Sequence, residues 1–174
     1  MIKLNKICCL LLVGILMLSF VGCSTNVSED SSVESVITKY VNTYYTITKD
    51  DIDLYKKIAG GNKDINALVS DTNKANEKFK NLMTDAAYED FINTRIPYGR
   101  CKEASEGNYY VTVKSIKFEK DSENAETKVY YYDIELIQTS IAGNEVKSIK
   151  DRKQITLSKI KDGWKVSNSY TYGY

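Results

Sequence analysis

Apolar positions in the first half of the chain recur with the period of an α-helix, and in the second half with the period of a β-strand. Val33, Val36, Ile37, Tyr40, Val41, Tyr44 and Tyr45 fall at i, i+3, i+4, i+7, i+8, i+11 and i+12, one broad stripe on a helix beginning at about Ser32. Ser31, with Glu34 three residues on, has the form of a capping box at its start. Residues 50–59 read as a second helix, acids first and lysines last as the macrodipole favours, stopped by Gly60-Gly61. A third spans about 64–81, with Ile65, Leu68, Thr72, Ala75, Phe79 and Leu82 at spacings of three and four. Thr84-Asp85 opens a fourth through Tyr88, Phe91 and Ile92. Pro97 is expected to end this helical half, leaving 95–100 as a brief extended segment.

Beyond Asn108 the period is two. The first strand covers about 109–120, where the apolar parity of Tyr109, Val111 and Val113 flips to that of Ile116 and Phe118. A β-bulge or a change of buried face near Lys114-Ser115 produces such a flip. After a charged loop, 120–126, the second strand (127–139) sets Tyr130, Tyr132, Ile134 and Leu136 on one face and Val129, Tyr131, Asp133, Glu135 and Ile137 on the other. Gly143-Asn144 turns into a third strand, 145–160, and Asp162-Gly163 into a fourth, 164–172. Helices followed by hairpin-linked strands predict an α+β fold: N-terminal helices packed on a curved antiparallel meander of four strands or slightly more.

The N-terminus obeys neither period. Lys3 and Lys6 precede an apolar run over 7–20, too short to span a bilayer as a helix and of the length of a secretory h-region. The run ends in Phe20-Val21-Gly22-Cys23-Ser24, which resembles the lipobox of bacterial lipoproteins, with Phe20 where Leu is usual. The resemblance implies cleavage before Cys23, a diacylglycerol on its thiol and an N-terminal acyl chain such as palmitate. Two or more chains hold a protein stably at a membrane where one binds only marginally. An ordinary cleaved signal and an uncleaved anchor are the alternatives. The domains expected are therefore a signal peptide (1–22), a polar tether (23–31) and one globular domain (32–174) at the outer face of the cytoplasmic membrane.

Removing 1–22 from the 174 residues leaves 152, enough for a real core. It also removes two of the 24 Lys and Arg, leaving 22 against 23 Asp and Glu. That balance gives no electrostatic reason to expect nucleic acid as a partner, or adhesion to anionic lipid. Three of the four cysteines (Cys8, Cys9 and Cys23) belong to the leader and the lipidation site. Cys101 is left without a partner for an internal disulfide, and a lone Cys is more often a small buried hydrophobe than a nucleophile. The chain has no histidine, which removes Ser-His-Asp and Cys-His catalysis and the commonest zinc ligand. The acids Asp50, Asp51 and Asp53 lack the further ligands and glycine of a calcium loop and read as helix capping. No metal or cofactor is expected. Fourteen tyrosines suit both a core and a binding surface, and the last residues, 169–174, are the best candidate for an exposed sticky stretch. The abundance of Lys, Asn, Ile and Tyr is also associated with AT-rich Gram-positive coding.

The order of elements, ending in the hairpin Lys161-Asp162-Gly163-Trp164-Lys165-Val166, resembles the nuclear-transport-factor-like, or cystatin-like, α+β rolls. The resemblance implies a helix lying in the concave face of a bent sheet, with a pocket at the open end of the cone. Some members are ketosteroid-isomerase-like or cyclase-like enzymes; many others are binding, dimerisation or assembly modules. The residues offer one acid-base candidate, Asp133 with Glu135 and Tyr131 on a single strand face, where Asp would abstract a proton and Tyr would stabilise an enolate. Alternation favours a solvent-facing position for both carboxylates. The expectation is therefore a membrane-anchored, non-catalytic module that binds an envelope protein or a small ligand. The alternative is a small lyase or isomerase using a pocket Asp and Tyr. A transporter's substrate-capturing lipoprotein is disfavoured, because the chain is short for two lobes.

Overall fold

The computed structural model describes residues 29–60 and 64–169. The leader, Cys23, most of the tether and the tyrosines at 170, 172 and 174 lie outside them. Among the described residues five helices precede a sheet: α1 (Glu29–Tyr45), α2 (Lys49–Ala59), α3 (Ile65–Lys80), α4 (Asp85–Asn93) and α5 (Ile96–Gly107). The strands β1 (Tyr109–Glu123), β2 (Thr127–Ser140), β3 (Glu145–Ile160) and β4 (Gly163–Ser169) form an antiparallel meander in the order β1-β2-β3-β4. The sheet is open, its helices packed on one face, and the fold is α+β as the two periods require. Among the described residues no helix is long and apolar enough to cross a membrane.

The core is the meeting of the helix stripe with the inner sheet face. Val33, Ile37, Tyr40 and Val41 of α1 are wholly buried, as are Tyr132, Ile155, Leu157 and Val166 from three of the strands. The parity flip of β1 is a bulge. The register with β2 shifts between Val113 and Ser115, so Val113 opposes Leu136 while Ile116 and Phe118 oppose Ile134 and Tyr132. One extra residue thus keeps both apolar sets on the same face.

Two expectations are corrected. The first helix starts at Glu29, about one turn before Ser32, and takes in residues assigned to the tether. Glu29 and Asp30 have partners that local sequence does not show, lysines of the sheet (below), and these hold the extra turn. The segment 95–100 is not extended either, because α5 begins at Ile96 with Pro97 in its first turn. Proline is tolerated there, since that N–H has no intrahelical acceptor. What divides α4 from α5 is Arg95, held left-handed at φ 56. Of the acids read as capping the second helix, Asp51 does so, in a capping box with Thr48, while Asp53 pairs with Lys49.

Candidate functional site

A concavity with an apolar floor and a polar rim lies where β1 begins and β2 turns into β3. Its floor is apolar, built from Ile47, Val111, Leu136 and Ile149, and its rim carries Arg100, Glu103, Tyr109, Gln138 and Lys147 around about 170 Å³. Chain connectivity fixes each side. The link between α1 and α2 is stitched to β1 by a reciprocal pair of bonds, Ile47 N to Val111 O at 2.9 Å and Val111 N to Ile47 O at 3.1 Å. Leaving α5, the backbone turns left-handed at Asn108 and enters β1 at once. Gly107 must lie against the next ring but one, for a Cβ there would fall 2.3 Å from Cε1 of Tyr109.

Arg100 is the distinctive group, 8% exposed on α5. Its guanidinium lies 4.3 Å from the ring centroid of Tyr45 and 5.2 Å from that of Tyr44, and Nη1 donates to the Tyr44 carbonyl at 3.4 Å. Stacking on aromatic faces steadies a planar cation at a fixed angle. Beside it, burial first and the charge of Glu103 second raise the Tyr109 phenol above its ordinary pKa, so it remains a proton donor at neutral pH. With the Gln138 amide and the Lys147 ammonium, the rim offers four kinds of donor above an apolar base. Such a set suits an oxyanion attached to an apolar group.

The acid-base candidate is not assembled. Asp133 and Glu135 lie on the outer face of the sheet, opposite the helices, because β2 places Tyr132 and Ile134 inward. Asp133 is exposed and bound by Arg152 Nη1 at 3.3 Å, while Arg152 covers the Tyr131 ring at 4.8 Å. Glu135 accepts from Lys114 at 2.9 Å and Ser148 at 3.0 Å, which hold its carboxyl below the usual range. The alternation that favoured a solvent-side position decides the matter. These carboxylates belong to a cross-strand charge ladder, and the open concavity of about 470 Å³ that they line with Lys117, Lys150 and Arg152 does not include Tyr131.

Cys101 borders a space of about 30 Å³ between α1, α2, α3 and α5, room for a single water. Burial, then the charge of Asp51, pushes its thiol up to about 11, the opposite of an activated nucleophile. Among the described residues no cluster of three or more His, Cys, Asp or Glu is placed to hold a metal ion. Of the terminal stretch 169–174, only Ser169 is described; it closes β4 beside the buried Tyr40.

Sequence reasoning passed over the rim residues. Arg100 lay in the segment misread as extended. A usable signal did exist on the strands: Gln138 continues the inner-face series Tyr130, Tyr132, Ile134, Leu136 with a polar group, and Lys147 opposes it across the ladder. A polar pair where an apolar pair is due marks the place where the core stops and a mouth begins.

No family model and no curated protein matches the chain. Among solved structures it is similar to a periplasmic fragment of TraM, at 7% identity and a TM-score of 0.48, over 80% of this chain and 94% of that one. It is also similar to the intermembrane-space region of the chloroplast protein ARC6, at 12% identity and a TM-score of 0.41, over 79% and 92% of the two chains.

Proposed function

We propose that this chain is an exported lipoprotein, held at the outer face of the cytoplasmic membrane by diacylglycerol on Cys23, whose roll-like domain binds an envelope protein without catalysing a reaction. The leader ending in Phe20-Val21-Gly22-Cys23 supports the anchor. The observation that carries the binding role is the mouth beside the β2–β3 turn, with Arg100, Tyr109 and Lys147 as donors over an apolar floor. Its volume selects the kind of ligand. About 170 Å³ is well under the roughly 300–1,000 Å³ of pockets that enclose a whole small molecule, and fits one inserted side chain or chain terminus. Ile141 and Val146, exposed on the same hairpin, add apolar area beside it. A partner bringing a carboxylate next to an apolar group satisfies both features.

The test is capture from detergent-solubilised membranes by the wild type and by Lys147→Glu, an exposed substitution that leaves the core intact. A partner retained by the wild type and lost by the variant bears out the site; equal capture by both overturns it. For the anchor, Cys23→Ala is expected to leave the membrane fraction, and undiminished retention would overturn lipidation at that residue.

A further inference from the structure

The first turn of α1 is locked onto all four strands. Asp30 bonds Lys120 of β1 at 2.8 Å, and Lys128 at 2.9 Å and Tyr130 at 3.2 Å on β2. Glu29 bonds Lys159 of β3 at 3.1 Å and the indole N–H of Trp164 on β4 at 3.0 Å. The side chain of Lys128 is only 7% exposed, reaches Glu123 at 3.4 Å and lies 5.3 Å over the Trp164 ring. The stem therefore joins the domain at a fixed point, at the end that carries the β1–β2 loop and the β3–β4 turn.

Five residues lie between Cys23 and Glu29, so the six residue-to-residue steps of the stem reach at most about 20 Å when fully extended. The 14 residues of β2 run away from that end for about 45 Å, to the β2–β3 turn beside the Arg100 mouth. We propose that the end formed by the β1–β2 loop and the β3–β4 turn is the membrane-facing surface of the domain, so that the Arg100 mouth is presented outward, away from the lipid. The inference rests on the lipid reading of Cys23. The occupant of the near end is the headgroup layer, held against it by the short stem and not by charge, because Lys120, Lys128 and Lys159 are already ion-paired within the protein. Phosphatidylglycerol should accordingly add nothing to attachment.

The test uses lipidated full-length protein in vesicles of phosphatidylcholine and phosphatidylglycerol containing an acceptor-labelled lipid. A donor fluorophore is placed at Ala125→Cys in the β1–β2 loop or at Asn144→Cys in the β2–β3 turn, with Cys101→Ala in both. Energy transfer to lipid several-fold stronger from position 125 than from 144 is expected, with phosphatidylglycerol content making no difference. Inserting about 20 Gly and Ser residues after Ser24 should erase the contrast, since a flexible linker of that length lets the domain reorient. Equal or reversed transfer in the natural chain, or a contrast that survives the insertion, overturns the orientation while leaving the anchor intact. Cys23→Ala separates the two readings: release from the vesicles supports the anchor, and persistent binding removes the basis of both.

Discussion

Tyr40, Tyr45 and Tyr132 are 0%, 3% and 0% exposed, and they give the fold a defined weakness toward base. Burial raises all three phenols well above the ordinary value of 10.0, and Tyr45 and Tyr132 place their hydroxyls 3.3 Å apart, where two phenolates would repel. A phenol with a raised folded pKa holds its proton more tightly in the fold than out of it. Its contribution to stability is therefore complete below pH 10 and is lost as pH rises toward the folded value. Each such group costs about 1.4 kcal/mol for every pH unit above 10, so the three together slope at about 4 kcal/mol per unit. One and a half units then remove about 6 kcal/mol, a large part of the roughly 5–15 kcal/mol that a domain has. The assay is urea denaturation at closely spaced pH values from 7 to beyond 10, with tyrosinate absorbance recorded in parallel. Lys120, Lys128 and Cys101, whose folded pKa values are also raised, slope in the same direction, so the quantity of interest is the difference between the wild type and each Tyr→Phe variant. Tyr132→Phe should flatten the slope by about 1.4 kcal/mol per unit while costing about 1 kcal/mol at neutral pH through its lost hydrogen bond. Slopes that match in wild type and variant would refute the argument.

Three further outcomes follow from the same geometry. With its thiol at about 11 instead of the ordinary 9.0, folded Cys101 should carry about 10²-fold less thiolate at pH 8. Alkylation should therefore be slow until urea unfolds the protein, and rapid labelling of the folded state would contradict the burial. Asp30 is held down to about 2 by Lys120 and Lys128, so its contribution is whole above pH 3.8 and fades as pH falls toward 2. Asp30→Asn should accordingly be the less stable protein at pH 5 and converge with the wild type near pH 2 in matched denaturation curves. Asp133→Asn, on the exposed outer face, should change stability by about 0.5 kcal/mol or less and leave partner capture untouched. A loss of capture would show that the outer face takes part in binding.

The helices and strands themselves were written in local order. The stripe from Val33 to Tyr45, the alternation from Tyr130 to Leu136 and a tight turn before Trp164 each depend on neighbours a few residues apart and each appears in the fold, the turn one residue earlier than read, at Lys161-Asp162 with Gly163 already paired to Ile160. The parity flip in β1 was equally legible, because a bulge displaces side chains in a way that spacing alone records. Alternation also put Asp133 on the sheet face opposite the helices, where it is exposed and bound by Arg152. The exclusion of histidine chemistry needed no structure at all.

Long-range contact decided the rest. The extra turn at Glu29 exists because lysines about 90 to 130 positions later supply its counter-charges, pairings that no local pattern encodes. Arg100 is buried because Tyr44 and Tyr45, more than fifty residues earlier, offer their ring faces, and a helix with Pro97 in its first turn, entered from left-handed Arg95, brings it there. A period reports which face of an element is apolar, whereas a mouth forms where the faces of several elements run out together. That convergence is a property of packing, and it appears only once α5, β1, β2 and β3 share the same end of the sheet.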